Sequence, residues 1–535
     1  VNQIRDDVSL LTGSHALKFG FNFNRLYHLG ILNGNEHFAT LTFFDDPTVI
    51  LNNTNGRYPQ GFRTPGIVRQ WQQANGGAIN GQGSWQDTLN TPYQISTWFQ
   101  DDWRATAKLT LNLGVRYDLD LEMMDQKHFP TNATRQALEA IGSPYGGYPK
   151  TPTKDISPRV GFAYDLTGEG RRVLRGGWGL YFDQYNTAAA AGDITGQSRR
   201  PLNALATLTN TAFGVGELAT YRFGIDPLPA QPTEGNALPL GSEGQWIDPA
   251  MVDPRTHQVH VGYAHELFAN TTLSVDYSYH KSLKEKRQTN INPILNGRRR
   301  LAPEFERVFG EPEFLSDVFI MAPVNEAEYN ALTLLLQRRT PRATLQAHYT
   351  LASSYSYGGI VGNFSGGGGG AGGGSSRPMV WDQPKGEGEW GPNQTDERHR
   401  FVFLGVFELP YGVQLSPVVQ AASARPHNLI AGSDLNRDGL NNDRYIDPGT
   451  GRQVSVGAGR GDPTFVFDLR ATKFVPFGGD RKLGLFVELF NVLNTVNHGN
   501  LYTGNARSVN FQKPTGFIQS IGYPRQVQLG ARFLF

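Results

Sequence analysis

The sequence predicts an all-β protein, an antiparallel transmembrane β-barrel with short turns at one rim and long loops at the other. Three features favour this fold: amphipathic segments of ten residues or more, connections that alternate between short and long, and a final segment with two-residue apolar alternation. A membrane strand needs about 9–11 residues, whereas strands of soluble domains usually have about five or six. We therefore treat residues 1–535 as a single barrel domain.

The composition excludes several other classes of protein. The 49 basic and 48 acidic residues leave a net charge of +1, which provides no electrostatic footprint for nucleic acid. Cysteine is absent, so disulfides and thiolate metal sites are excluded. Mean hydropathy is −0.41, and no apolar run approaches the roughly 18 residues of a membrane helix. Membrane β-strands do not need a continuous apolar run, because their lipid-facing and lumen-facing residues alternate.

The segment 109–121, LTLNLGVRYDLDL, shows the alternation most clearly. Aliphatic or aromatic residues occupy every odd position, and polar residues or glycine occupy every even position. Successive side chains of a strand point to opposite faces, so one face is apolar and the other is polar. We expect the following residues to face lipid: Leu111, Leu113, Val115, Leu273 and Val275. We expect the following residues to face the lumen: Arg116, Asp118, Asp276 and Arg470.

About 14–16 strands of this kind are predicted, and two kinds of connection join them. Tight turns are predicted near 105–107, 168–170, 268–270, 340–342 and 410–412. Long connections are predicted at 46–90, 122–155, 185–250, 284–326, 357–396 and 424–460. Outer-membrane barrels have short periplasmic turns and long extracellular loops, whereas a compact soluble domain rarely has many loops above about 15 residues.

Aromatic residues gather toward the predicted strand ends. Outer-membrane barrels carry girdles of aromatic side chains at both lipid–water interfaces, whereas a soluble sheet uses such residues as cross-strand pairs. Strand length and loop asymmetry favour the girdles. The residues concerned are Tyr27, Trp98, Trp103, Tyr117, Trp178, Tyr181, Tyr277, Tyr279, Tyr355 and Tyr357.

The final segment, PRQVQLGARFLF at 524–535, presents one apolar face. That face is formed by Val527, Leu529, Ala531, Phe533 and Phe535. The segment resembles the C-terminal strand of outer-membrane barrels, which the barrel-assembly machinery reads as a signal and which then closes the barrel. Closure matters because an open edge in lipid leaves backbone groups unpaired. The alternative interpretation is an ordinary edge strand.

Five stretches together resemble the barrel of TonB-dependent outer-membrane receptors, in particular their Oar-like branch. They are STWFQDDWRATAKLTLNLGVRYDLD (96–120), SPRVGFAYDL (157–166), LRGGWGLYFDQ (174–184), ERHRFVFLGVFELPYG (397–412) and FVELFNVLNTVNHGN (486–500). The resemblance extends from about residue 15 to residue 535. It implies a barrel of roughly 22 strands around a plug, with the TonB system as partner through an N-terminal part. Because the chain shows fewer strands and no plug, we expect the plug and the first strands to be absent from it.

The segment 434–447, DLNRDGLNNDRYID, contains the front half of a calcium loop. Carboxylate or amide side chains occupy loop positions 1, 3 and 5, and glycine occupies position 6, where calcium loops turn sharply. Position 12 is Tyr445, which supplies no carboxylate. The alternative is an Asx-rich turn without metal. The candidate calcium ligands are Asp434, Asn436, Asp438, Asn442 and Asp443, with Asp447 as a further candidate. No other cofactor is predicted.

The remaining motifs indicate no catalytic chemistry. GGGGGAGGGSS at 366–376 lacks the Lys-Ser/Thr of a phosphate loop and is interpreted as a flexible loop. The histidines of HQVH, at 257 and 260, are three apart on a predicted strand and therefore lie on opposite faces. Neither G-x-S-x-G nor H-E-x-x-H occurs, so we predict that the protein is not an enzyme.

Three functional hypotheses remain open from the sequence. The first is a TonB-coupled importer of a nutrient too large for porins. The second is an Oar-like role in protein export or surface adhesion, and the third is a passive porin of about 16 strands. All three place the protein in the outer membrane of a Gram-negative cell, in contact with lipid. A soluble β-rich enzyme is a distant fourth alternative.

Overall fold

The computed structural model describes most of the chain. The described residues are 1–27, 29–30, 40–45, 47–75, 87–88, 91–124, 126, 129–130, 132–183, 204–228, 244–310, 317–358, 377–440, 442–479, 481–518 and 521–535. The glycine-rich segment 366–376 lies outside these residues.

One large sheet of 17 strands dominates the described part of the chain, and fifteen of these strands are long and antiparallel to their sequence neighbours. The strands are β1 (Asn2–Thr12), β2 (His15–Arg25), β3 (Tyr93–Arg104), β4 (Leu109–Leu121), β5 (Asp155–Asp165), β6 (Arg172–Phe182), β7 (Arg255–Phe268), β8 (Thr271–Asn290), β9 (Val318–Arg339), β10 (Ala343–Tyr357), β11 (His399–Leu409), β12 (Val413–Ala422), β13 (Thr464–Pro476), β14 (Lys482–Phe490) and β15 (Gln526–Leu534). Each strand pairs with the next along the chain. The predicted all-β antiparallel class is confirmed, and fifteen strands lie within the predicted 14–16.

The two edges of this sheet are β1 and β15. Strand β1 pairs with β2 and strand β15 pairs with β14. Within the described residues no pairing joins β1 to β15, so the closing contact expected of the final strand is not among the observed pairings. Each edge therefore presents a row of backbone donors and acceptors.

The apolar side chains of these strands are the exposed ones. Leu113 and Val115 on β4 are 41% and 45% exposed, and Val160 on β5 is 48% exposed. The intervening polar residues Arg116 and Asp118 are half-buried. A soluble protein buries its aliphatic side chains preferentially. The sheet instead presents a contiguous apolar surface, as expected of strands that contact lipid.

Short and long connections alternate strictly along the sheet. The short connections are 13–14, 105–108, 166–171, 269–270, 340–342, 410–412 and 477–481. The long connections are 26–92, 122–154, 183–254, 291–317, 358–398, 423–463 and 491–525. Because consecutive antiparallel strands reverse direction, all short connections lie at one rim and all long connections at the other. The predicted asymmetry of the two rims is confirmed.

The long connections contain further structure, which we call the loop layer. Its α-helices are Pro47–Asn52, Ala133–Ala140 and Ala302–Phe309, and the 3-10 helices Gly61–Arg63 and Pro144–Gly146 also belong to it, while Pro410–Gly412 forms a short connection. Its strands are Leu29–Gly30, Thr40–Phe43, Val68–Asn75, Asp87–Thr88, Ala204–Ala212, Val215–Gly216, Gly244–Ile247, Ile294–Leu295, Arg298–Arg299, Trp390–Pro392, Pro426–His427 and Gly459–Arg460. None of the helices in the described residues is long and apolar enough to cross a membrane.

The loop layer has its own hydrophobic cores. Three successive long connections meet around Trp246 and Phe305, both of which are fully buried. The strand Gly244–Ile247 pairs in parallel with the start of β9. This pairing joins the 183–254 connection to the end of the 291–317 connection. A second core surrounds Trp71 and joins the 26–92 and 183–254 connections through a four-stranded sheet. The loop layer is therefore a packed structure above one rim of the sheet.

Strands β8 and β9 extend from the sheet into the loop layer. They contain 20 and 22 residues, which corresponds to roughly 65–70 Å of strand at about 3.3 Å per residue. The prediction of a long connection over 284–326 is therefore wrong at both ends. Residues 284–290 continue β8, and residues 318–326 belong to β9. These extensions carry the sheet beyond the hydrocarbon region, which is about 30 Å thick.

Candidate functional site

A cavity of about 750 Å³ lies on the polar face of the sheet between β1 and β8. Six of the large polar and aromatic side chains that line it form what we call the wall site. They are Arg5, Trp98, Arg116, Arg159, Arg175 and Tyr181.

Trp98 on β3 lies between two arginines from different strands. The guanidinium carbon of Arg5 is 5.3 Å from the indole centroid, and that of Arg116 is 5.4 Å from it. Arg116 pairs directly with Trp98 across β3 and β4 and forms an ion pair of 2.8 Å with Asp118. Guanidinium groups over an indole ring gain cation–π attraction. The indole thus holds two positive charges close to each other on the wall.

A second group of side chains lies on β5 to β8. Arg159 stacks on Tyr181, with 4.6 Å from the guanidinium carbon to the ring centroid. Arg175 forms a two-oxygen ion pair with Asp276, at 2.8 Å and 3.0 Å from its Nη2 atom. The Nε2 atom of His260 lies 3.3 Å from the same carboxylate. This part of the wall therefore combines a neutralised arginine with one that is stacked on an aromatic ring.

Glycines allow these large side chains to lie flat on the wall. A Cβ atom at Gly20 would stand 2.6 Å from the ring of Trp98, and one at Gly179 would stand 2.8 Å from the ring of Tyr181. A Cβ atom at Gly114, on the same face, would meet no atom closer than 3.4 Å. The absence of a side chain there leaves the floor of the cavity open. Glycine in a strand weakens it but admits close approach. The result is a shallow surface of guanidinium and aromatic planes.

The four residues predicted to face the lumen lie in two places on the polar side of their strands. Arg116, Asp118 and Asp276 lie at or next to the wall site. Arg470 lies on β13, where it contacts Glu488 at 3.2 Å and stacks on Phe486 at 3.9 Å. The structure therefore brings three of the four together and leaves Arg470 apart.

The girdle interpretation is wrong for two of the aromatic residues. Trp98 lies in mid-strand and Tyr181 near a strand end, but both point to the polar face, where they stack with arginines. The sequence predicted no role for the other three residues of the wall site, Arg5, Arg159 and Arg175. Their signal is weak, since an arginine in an alternating strand is common and only the cross-strand register shows its neighbours.

The residues predicted to face lipid occupy the opposite face. Leu273 and Val275 pair across β8 and β9 with Leu336 and Leu334, each of which is 36% exposed. Leu111 is half-buried, on the face shared by the exposed residues of β4. In the final strand Val527, Leu529 and Phe533 are exposed, and Phe535 follows the end of β15. Ala531 pairs with Leu485. The lipid and assembly-signal roles of these residues stay predictions.

The predicted calcium ligands come together in the connection between β12 and β13. Asp434 accepts hydrogen bonds from the backbone nitrogens of Asp438 at 3.1 Å and of Gly439 at 2.9 Å. Asn436 and Asp438 each accept a further backbone N–H group of the turn. Asp443 accepts from two backbone nitrogens of the same turn. The chain folds here into a compact loop with its carboxylates directed inward.

The electrostatics of this loop are strongly acidic. Burial raises the pKa of Asp438 and of Asp443, and the neighbouring Asp434 carboxylate raises both further. Gly439 has a φ of +98°, which glycine adopts most readily. Among the described residues, no three His, Cys, Asp or Glu side chains converge closely enough to form a preformed metal site. Calcium binding therefore stays a prediction at this level.

The chain is similar in fold to outer-membrane transport proteins. It superimposes on the outer membrane transporter YddB from Escherichia coli with a TM-score of 0.52 and 11% identity, covering 99% of this chain and 53% of that one. It also matches the siderophore receptor PirA from Acinetobacter baumannii, with a TM-score of 0.49, 9% identity and coverage of 99% and 54%. The chain thus spans about half the length of these solved structures. No curated protein matches it significantly.

The family assignment rests on a longer match. Residues 1–422 match the family model described as outer membrane beta barrel domain. This match covers β1 to β12, and the exposed apolar face and the two unequal rims of the sheet agree with it. The chain therefore belongs to the outer membrane beta barrel domain family, which places it in the outer membrane of a Gram-negative cell.

Proposed function

We propose that this chain forms barrel wall and extracellular loops of a TonB-dependent receptor, which captures a ligand too large for porins and moves it across the outer membrane. The observation that carries this proposal is the loop layer. Its cores bury Trp246, Phe305 and Trp71 almost completely, so the long connections form a folded structure. A folded layer above the barrel supports ligand capture at the cell surface.

The wall site supports a passage lined by groups that contact the moving ligand. Four arginines and two aromatic rings lie on its surface, and planar guanidinium and aromatic groups bind anionic and aromatic ligands. We leave the ligand of the present chain unnamed and propose only that it is large.

The proposed partners follow from this function. Outer-membrane lipid would cover the exposed apolar face, and the barrel-assembly machinery would insert the strands. The TonB system would supply the energy for transport. Further strands of the same protein would pair with the edges β1 and β15, because lipid provides no hydrogen bonds for them. No step of this proposal requires catalysis by the chain.

The test is a conductance measurement on the full-length protein extracted from outer membranes and inserted into planar bilayers. We expect no steady conductance, because the lumen of an energised receptor is obstructed until its partner acts. An established porin inserted under the same conditions provides the control for an open pore. Steady conductance of the wild-type protein would contradict the proposal and would favour the passive channel.

A further inference from the structure

We propose that the connection between β12 and β13 holds a calcium ion that fixes this part of the loop layer. The ligands come from one short loop. They are the side-chain oxygens of Asp434, Asn436, Asp438, Asn442 and Asp443. This site is independent of the transport function proposed above, since it concerns the architecture of the loops.

The decisive observation is a pair of buried oxygens without hydrogen-bond donors. Asp443 is fully buried, and within the described residues its Oδ1 atom accepts no hydrogen bond. Its Oδ2 atom accepts from the backbone nitrogen of Leu435 at 2.6 Å, so the carboxylate lies against the start of the loop. A hydrogen bond from the exposed Gln453 side chain to the Asp443 carboxyl opposes the rise in its pKa, yet within the described residues the Oδ1 atom has no donor.

The adjacent residue provides the second such oxygen. The Nδ2 atom of Asn442 donates to the carbonyl of Pro378 at 3.0 Å, which turns its Oδ1 atom the other way. That Oδ1 atom is also buried and has no donor in the described part of the chain. A buried acceptor without a partner costs about 1–3 kcal/mol. Two of them on neighbouring residues indicate a missing positive group.

Two of the nearby cations are already occupied. Arg299, whose guanidinium approaches Gly439, donates to Asp317 at 2.6 Å. Arg444, which follows Asp443 in the chain, pairs with Glu389 at 2.8 Å. Arg437, within the loop itself, is exposed and forms no ion pair with these carboxylates among the described residues. The Asp434 carboxylate therefore repels those of Asp438 and Asp443. A bound cation would supply a counter-charge.

The chemistry of the ligands selects calcium among the common cations. All candidate ligands are oxygens, which hard cations prefer, and calcium accepts six to eight of them in flexible geometry. Carboxylate, amide and backbone carbonyl oxygens all count toward this number. The three carboxylates therefore need not converge before the calcium ion binds. A single cation can draw Asp434, Asp438 and Asp443 together from the compact loop that already holds them.

Binding would also fix the loop to its neighbours. Asn436 and Asn442 donate from their amide nitrogens to the carbonyls of Met379 and Pro378, each at 3.0 Å. The Oδ1 atom of Asn436 accepts from the backbone nitrogen of Asp438, and that of Asn442 has no donor among the described residues, so both would be available to the proposed ion. Calcium would thus connect the 423–463 connection to the 358–398 connection, and so order two segments of the loop layer at once.

The experiment is a calorimetric titration of the full-length protein, extracted in detergent and freed of divalent ions with a chelator. We expect saturable calcium binding with a dissociation constant on the order of 10⁻⁴–10⁻³ M, as in extracellular calcium modules. Magnesium should bind much more weakly, because it requires near-octahedral geometry and retains its waters. The Asp443→Asn variant should bind calcium at least about tenfold more weakly, since ligand charge sets the affinity.

The matched control is Asp462→Asn, which removes a carboxylate from the same connection but outside the candidate ligands. Asp462 accepts a hydrogen bond from the hydroxyl of Tyr502, so this variant should bind calcium as the wild type does. Residual lipopolysaccharide also binds calcium, and the comparison among variants removes its contribution. If Asp443→Asn fails to assemble, Asp434→Asn takes its place. A wild-type protein without saturable binding, or variants equal to wild type, would overturn the proposal.

Discussion

At the residue scale, Leu113 and Asn112 show how one step along a strand changes the environment of a side chain. Leu113 is 41% exposed on the apolar face, whereas Asn112 lies on the polar face and donates to Asp102 at 2.7 Å. The sequence predicted this division correctly for β4, because a two-residue period needs no knowledge of the neighbouring strands. A charge introduced at either position therefore tests which face meets lipid.

The Leu113→Arg substitution should impair insertion of the barrel. An arginine on the lipid face costs about 2–4 kcal/mol near the bilayer midplane. The measurement is the folded fraction after refolding into lipid vesicles over a urea series. The control is Asn112→Arg, which places the same charge on the opposite face beside Asp102 and should fold normally. Equal folding of both variants would contradict the proposed orientation of β4.

The wall site depends on glycine at one close contact. An alanine Cβ at position 20 would lie 2.4 Å from the backbone carbonyl of Asp6 and 2.6 Å from the ring of Trp98. We expect Gly20→Ala to destabilise the folded protein by about 1–3 kcal/mol, as overpacking does, and to displace the indole from its arginines. The shift of the urea midpoint and the tryptophan emission measure the two effects.

The control for this prediction is Gly114→Ala on the same face. Its Cβ would meet no atom closer than 3.4 Å, which is an ordinary contact, so stability should change little. A destabilisation of the two variants by the same amount would show that strand propensity, and not the contact with Trp98, is responsible. The sequence could not have indicated this difference, because Gly20 and Trp98 are paired only by the register of β2 and β3.

At the element scale, β8 and β9 show where sequence patterns fail. The sequence predicts a long connection from 284, but strand β8 continues to Asn290. In the extension, Glu285, Lys286 and Arg287 are all buried, because the loop layer covers the strand. Alternation between polar and apolar residues is a signal of one-sided burial, and it disappears when both faces are covered by protein.

The loop layer should lose stability as the pH rises. Burial, with the neighbouring Asp155 carboxyl adding to it, raises the pKa of Asp253, in the connection before β7, to about 8. An acid with a raised pKa in the folded state contributes stability that is complete below its unfolded pKa and is lost as the pH rises through the folded pKa. We expect the urea midpoint of the loop layer to fall from about pH 5 to about pH 9.

Tryptophan fluorescence can follow this transition, because Trp246 is buried in the core that also contains Met251. The Asp253→Asn variant removes the titrating group and should flatten the pH dependence. Asp248→Asn, in the same connection, is the control, and its pH profile should follow the wild type. A steep profile that persists in Asp253→Asn would assign the effect to another group.

At the scale of the whole molecule, strand order was predictable and closure was not. Each long strand pairs with its sequence neighbour, as expected for hairpins joined by short turns. Closure depends on what pairs with the two edge strands, β1 and β15. The residue pattern of an edge strand does not show which strand pairs with it. The chain spans about half the length of YddB.

Cysteine cross-linking can decide between a sheet that closes on itself and one completed by other strands. The chain contains no cysteine, so an introduced pair has no competing thiol. Cysteines at Val8 on β1 and Phe19 on β2, which pair directly, should form a disulfide upon oxidation in the membrane, since paired Cβ atoms lie about 4.5–5.5 Å apart. Cysteines at Val8 and at Leu529 on β15 should not form a disulfide if other strands cover both edges.

The register of a closed sheet is unknown, so cysteines at positions 527 and 531 are also tested in turn with the cysteine at Val8. An efficient disulfide between β1 and β15 would show that the fifteen strands form a complete barrel, and it would favour the passive channel over the energised receptor.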